Sequence, residues 1–239
     1  MSIWGDAACP RFVRYPKKNP PFGTFGNIVN RNRLSNKNYI NYIMTRIKGQ
    51  LTTSDYLPID EFNRLCDCLR KDKQYTWELY CRVAFCTALR ASDVLTLRWI
   101  DILDTDELIK TEQKTKKTRS IPLNLSVREK LEELYDLLGK PDKKMPLIYN
   151  YQRKRIYSLE HINDLLKGFK RKYGLTIKHF STHTFRKTFG RYVYEYCGKS
   201  AEALLYLNTI LMHSSIGTTK RYIGLEKDEI NSIYQHITF

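Results

Sequence analysis

Six side chains of complementary chemistry follow one another along the chain: Arg90, Lys114, His183, Arg186, His213 and Tyr222. Two guanidiniums, an ammonium, two imidazoles and a phenol are groups that grip phosphate oxygens and pass protons. Taken singly, each has an ordinary explanation: a solvated charge, a phosphate clip, or one of 17 tyrosines. Their order and spacing say more. Arg90 closes an apolar helix and opens Leu89-Arg90-Ala91-Ser92-Asp93, which runs at once into another amphipathic segment. Lys114 stands eight residues before Pro122, at the tip of a basic hairpin. His183-Thr184-Phe185-Arg186 puts two polar side chains on one helical face, since positions i and i+3 are neighbours there. His213 begins a string, Ser214-Ser215-Ile216-Gly217-Thr218-Thr219-Lys220-Arg221, that ends on Tyr222 nine residues later.

The elements that must position these groups are mostly helical. Pro58 suits a first helical turn, and Ile59, Phe62, Leu65, Cys66 and Leu69 recur at helical spacing after it. Further helices are expected over 76–88, 91–97, 126–138, 158–173, 182–196 and 201–212, with shorter ones after Ser214 and from Glu226. Residues 100–110 and 120–123, joined by Gln113-Lys114-Thr115-Lys116-Lys117-Thr118-Arg119, read as a β-hairpin with a cationic tip. The fold class is therefore mainly α with one small antiparallel hairpin or sheet. Two parts are expected: a basic, weakly ordered arm over 1–50 with a short helix at 35–48, and a folded domain over 51–239 ending in a tail helix.

Composition narrows the partner. The 239 residues carry 41 Lys and Arg against 25 Asp and Glu, a net charge of +16. Nine of the basic residues and only one acid, Asp6, fall within the first 50 positions. Such an excess points to a polyanion, nucleic acid before a membrane surface. The six cysteines are scattered without zinc-site spacing, which suits reduced thiols. No apolar run approaches the roughly 20 residues of a bilayer span, and the N-terminus has no export signal, so a cytoplasmic location with the cell's or host's DNA is expected.

With these residues in hand, the chain resembles the tyrosine recombinase (phage integrase) family, which uses Arg, Lys, His-x-x-Arg, His or Trp, and Tyr in that order. The resemblance runs from Thr53 to Leu225, and Asp93 matches an acidic position three residues after the first Arg. It implies the catalytic-domain fold of the DNA breaking-rejoining enzymes. Two departures stand out: the family normally has a separate helical core-binding domain ahead of the catalytic one, and the Arg186-to-His213 interval is longer by a few residues than the family's, with Gly198-Lys199-Ser200 as the turn that absorbs the excess.

The resemblance implies a site-specific recombinase that cuts and exchanges DNA strands through a 3′-phosphotyrosine at Tyr222. Arg90 and Arg186 would hold the non-bridging oxygens, Lys114 would protonate the departing 5′-oxygen, and His183 and His213 would assist proton transfer. No ATP, metal or other cofactor is called for. Asp93 is read as structural, orienting Arg90 or a neighbouring helix, and His161, His179 and His236 are left out. The partners implied are double-stranded DNA and further copies of the chain, as a dimer on each site and a tetramer at synapsis, with a DNA-bending accessory protein a further possibility. The tail from Leu225 to Phe239 would dock on a neighbouring protomer. Clusters at Arg153-Lys154-Arg155 and Lys170-Arg171-Lys172 read as phosphate tracks. Two rival readings share these residues: a type IB topoisomerase-like relaxing enzyme, and a DNA-binding remnant that never cuts.

Overall fold

A computed structural model describes residues 54–237. The basic arm and the helix expected at 35–48 lie outside the described residues. Helix α1 (Ile59–Lys71) buries Phe62, Leu65, Cys66 and Leu69. Asp60 and Glu61 in its first turn, and Arg70 and Lys71 in its last, complement the helix dipole. Pro58 precedes the helix as its N-cap.

Helix α2 (Tyr75–Thr87) is buried on most sides, from Trp77 through Val83 and Ala84 to Thr87. Its buried Glu78 is matched by Arg70 at 2.9 Å and Arg82 at 2.8 Å. The helix stops at Ala88, which takes a left-handed conformation (φ 48°) and redirects the chain. Helix α3 (Ala91–Val94) follows, shorter than the expected 91–97. A 3₁₀ turn at Trp99–Asp101 then occupies the start of the expected first strand.

Strands β1 (Glu107–Thr111) and β2 (Thr118–Pro122) form the hairpin, in a register that pairs Lys110 with Arg119 and Thr111 with Thr118. After helix α4 (Leu125–Leu137) comes a second two-stranded ladder, β3 (Tyr149–Asn150) with β4 (Arg155–Ile156). The sequence reading has no counterpart for it, because two-residue strands leave no alternation to detect.

Helix α5 (Leu159–Tyr173) is capped by Ser158 and ends on Gly174. Helix α6 (Thr184–Tyr196) starts just after His183, and the turn through Gly198 and Lys199 leads to helix α7 (Ala201–Ile210), capped by Ser200. Helix α8 (Ile216–Ile223) is capped by Ser215. Gly224, at φ 85°, separates it from helix α9 (Leu225–Gln235). An L-residue with a side chain rarely takes that conformation, so glycine permits the sharp joint directly after Tyr222 and Ile223.

Two apolar clusters fix the site. The larger joins α1, α2, the first hairpin and α4 to α6, with Phe185 at 5.7 Å from Phe180 and 5.8 Å from Tyr80, ring centre to ring centre. Anchoring Phe185 fixes the start of α6 and with it Arg186. The smaller cluster holds Ala88, Leu204, Leu207, Leu211, Ile223 and Leu225, with Tyr222 packed against it. Among the described residues, no helix is long and apolar enough to cross a membrane.

Candidate active site

The arginines meet where helices end. The last carbonyls of a helix have no partner within it and carry the negative end of its dipole. Arg119 donates to Thr87 O at the end of α2 (3.3 Å). Arg186, only 3% exposed, donates Nη1 to Ala88 O and Nη2 to Leu211 O, the latter at 2.6 Å. It thus bridges the C-terminal ends of α2 and α7. Burial pulls its pKa to about 10, which leaves it cationic at neutral pH.

Glu112 lies at the centre of this cluster, fully buried. It receives Nη1 of Arg90, receives Nη1 of Arg119 at 3.1 Å, and lies 3.9 Å from Arg186. A buried carboxylate among three guanidiniums offsets charges that would otherwise repel one another. From sequence, Arg119 is only one more cation of the hairpin tip and Glu112 has no role; the clue available was a single acid two residues before the first lysine of that tip. Arg90 is half-buried, and its contact with Glu112 uses Nη1.

The C-terminal residues of the set close over the arginines. The rings of His213 and Tyr222 lie 4.9 Å apart at 68°. The ammonium of Lys187 stands 5.2 Å from the centre of the Tyr222 ring. The Tyr222 hydroxyl is buried on the side of Arg186. Burial raises its pKa, while the positive charges of Arg186 and Arg90 oppose the rise.

His213 Nδ1 lies 3.0 Å from Thr219 Oγ1, which in turn donates to Asn208 Oδ1 at 3.0 Å. Because the single Thr219 proton goes to Asn208, His213 donates from Nδ1 and keeps a lone pair on Nε2. Burial, then the nearby Arg186 and Arg90, lowers the His213 pKa to about 4. Asn208 and Thr219 are a supporting pair that spacing alone did not reveal.

His183 and Lys114 lie at the rim. His183 is exposed on one side, yet burial of the other side and the charges of Arg186, Lys187, Arg90 and Lys114 hold its imidazole below the ordinary range. Lys114 is exposed on the turn between β1 and β2. Asp93 is buried, as a structural role requires, but Arg90 is not its partner: Asp93 Oδ1 accepts from Gln113 N at 2.8 Å and so holds the hairpin turn.

The phage integrase family model matches residues 55–229, which includes every residue of this cluster. The chain belongs to the phage integrase family. Its match to "Probable integrase/recombinase YoeC" of Bacillus subtilis (strain 168) is 34% identical over 149 residues, covering 62% of this chain and 77% of that one. Tyrosine recombinase XerD of Oceanobacillus iheyensis is 25% identical over 186 residues, covering 76% of this chain and 61% of XerD. Among solved structures, XerA recombinase superposes with a TM-score of 0.57 at 20% identity, over 78% of this chain and 67% of XerA. A lambda integrase dimer bound to a COC′ core site gives 0.56 at 21% identity, over 75% of this chain and 50% of that chain. The chain thus has the tyrosine recombinase catalytic-domain fold, and it spans about three fifths of XerD and half of the lambda integrase chain.

Proposed function

We propose that this integrase cuts and rejoins DNA strands at specific sites, with Tyr222 as the nucleophile acting within its own protomer. The observation that carries the reading is the buried Tyr222 hydroxyl, set beside the His213 ring and under the positive charges of Arg186 and Arg90. A phenol buried next to guanidiniums that keep donors to spare suits a DNA phosphate delivered to the arginines.

In the proposed step the Tyr222 oxygen bonds to phosphorus and the bond from phosphorus to the 5′-oxygen breaks. The phenolic proton passes to a neutral imidazole of His213 or His183, and Lys114 gives a proton to the 5′-oxygen. The N–H groups of Arg90 and Arg186 not engaged by Glu112 and the carbonyls donate to the non-bridging oxygens, where charge grows in the transition state. The phosphotyrosine conserves the bond energy, so a 5′-hydroxyl of the same or another strand can reseal it without ATP or a metal.

Double-stranded DNA and further copies of the chain are the proposed partners, as a dimer on each site and a tetramer at synapsis. Supporting this, the tail helix exposes Ile230, Ile233 and Tyr234, with Ile237 just beyond it. The same reading assigns residues 1–50 to phosphate contact, places the protein with the DNA of the cell or host, and leaves room for a DNA-bending accessory protein. The test is a supercoiled plasmid carrying two copies of a site selected from random DNA by binding. Recombinant circles of the size set by the two sites are expected. Relaxed, unrecombined topoisomers would assign a topoisomerase, and untouched plasmid would assign a binding protein.

A further inference from the structure

One side chain of the hairpin that carries Lys114 joins its turn directly to Arg90. Glu112 immediately follows β1. Its backbone closes the turn, since Glu112 N donates to Lys117 O at 3.0 Å and Lys116 N donates to Glu112 O at 2.9 Å. Its Oε2 accepts from Arg90 and from Thr115 Oγ1, the latter at 3.1 Å. Its Oε1 takes Arg119 at 3.1 Å, which returns the other end of the turn to the same carboxylate. Thr115 also reaches Met212 Sδ at 3.7 Å, next to His213. Lys114 lies between Gln113, held by Asp93, and Thr115, held by Glu112.

We propose that Glu112 is a positioning residue of the strand-transfer site, whose carboxylate holds the Lys114 turn against Arg90 so that the general acid and the phosphate grip act on one phosphate. The proposal rests on the cleavage reading above. Burial alone would raise the pKa of this carboxyl, but the Arg119 hydrogen bond and the charges of Arg90 and Arg186 hold it below the ordinary range, so it is ionised at neutral pH. With the charge gone, the turn loses its hold on Arg90 and Lys114 drifts from the 5′-oxygen. Misplacement of a reacting group by about 1 Å is enough to cost roughly 10²-fold in rate.

The experiment measures covalent adduct formation on two nicked duplexes, one with the ordinary scissile phosphate and one in which sulfur replaces the bridging 5′-oxygen. A thiolate departs without taking up a proton, so the second duplex does not need Lys114. Glu112→Gln and Lys114→Ala are expected to lose about 10²-fold on the ordinary duplex and to return to within about tenfold of the unaltered protein on the sulfur duplex. Glu112→Asp keeps the charge on a shorter stem; it should show a smaller loss, also relieved by sulfur, and it keeps the test decisive if Glu112→Gln fails to fold. A Glu112 variant that is folded and cuts the ordinary duplex like the unaltered protein would overturn the proposal, as would one equally slow on both duplexes. If the unaltered protein itself forms no adduct on either duplex, the cleavage reading fails instead.

Discussion

The His213 and Tyr222 rings meet at 68° with their centres 4.9 Å apart, and both belong to the wall that α7 and α8 build over Arg186. The phenol is thus seated beside the arginines of its own chain. Nine residues separate the two in sequence, and they come together because Ser215 starts α8 and Thr219 ties its first turns back to His213.

Arg186 has two functions, which one substitution will expose together. Its guanidinium satisfies Ala88 O and Leu211 O, and in the proposed reaction it also grips the phosphate. Arg186→Ala is predicted to lower strand cleavage by about 10²–10³-fold, the usual cost of losing a preorganised donor. It should also lower stability by about 1–3 kcal/mol for each carbonyl left unpaired. Thermal melting beside adduct assays checks this; an unchanged melting temperature would remove the bridging role.

Gly190 sets the distance between α6 and α8. A Cβ built there would lie 2.6 Å from Ile223 Cγ2, one residue from Tyr222. Gly190→Ala is predicted to destabilise by about 1–3 kcal/mol through overpacking and to slow cleavage by moving the phenol. Ile223→Ala removes the clashing methyl, so the double variant should be less destabilised than the sum of the two single ones. Melting curves of the three variants decide it; strict additivity would show that the contact is not the cause.

His213 gives a pH signature. Its folded pKa, about 4, lies below the ordinary value, so between about pH 6.5 and 4 the unfolded chain binds a proton that the folded chain does not. Stability from this group is complete above that window and declines as pH falls through it. Cleavage that uses a neutral His213 should likewise persist down to the lower end of the window. His213→Asn is predicted to flatten the melting-temperature profile over the same range, and an unchanged slope would contradict the assignment.

The two basic clusters should not behave alike toward DNA. Lys170 donates to Lys178 O, and Lys172 lies 2.5 Å from Asp72, whereas Arg153, Lys154 and Arg155 project from the β3–β4 hairpin as exposed residues. Neutralising each of Arg153, Lys154 and Arg155 is predicted to reduce the salt slope of DNA binding by about one. Neutralising Lys172 should leave it nearly unchanged. Titrations across a range of salt concentrations measure both; equal slopes would place the DNA elsewhere.

The family and the mainly helical fold were readable because periodicity marks amphipathic helices and the candidate residues follow one another in the family's order. The partners of those residues were not. Glu112 and Arg119 look like members of a charged hairpin tip until folding brings the tip to the ends of α2 and α7. Asp93 could be judged structural, but only the fold shows that it holds Gln113 and not Arg90. The Asn208–Thr219–His213 chain was equally hidden, since hydrogen bonding between helices leaves no periodic trace. The early end of α3 and the second ladder escaped because so few residues carry no pattern.

Tyr222 is predicted to become covalently joined to DNA. Incubating the protein with a nicked suicide duplex carrying a binding-selected site, then digesting and sequencing the adduct by mass spectrometry, tests it directly. A 3′-phosphate linked to the Tyr222 peptide, lost in Tyr222→Phe, is predicted. An adduct on another residue, or none while the duplex is bound, would contradict it.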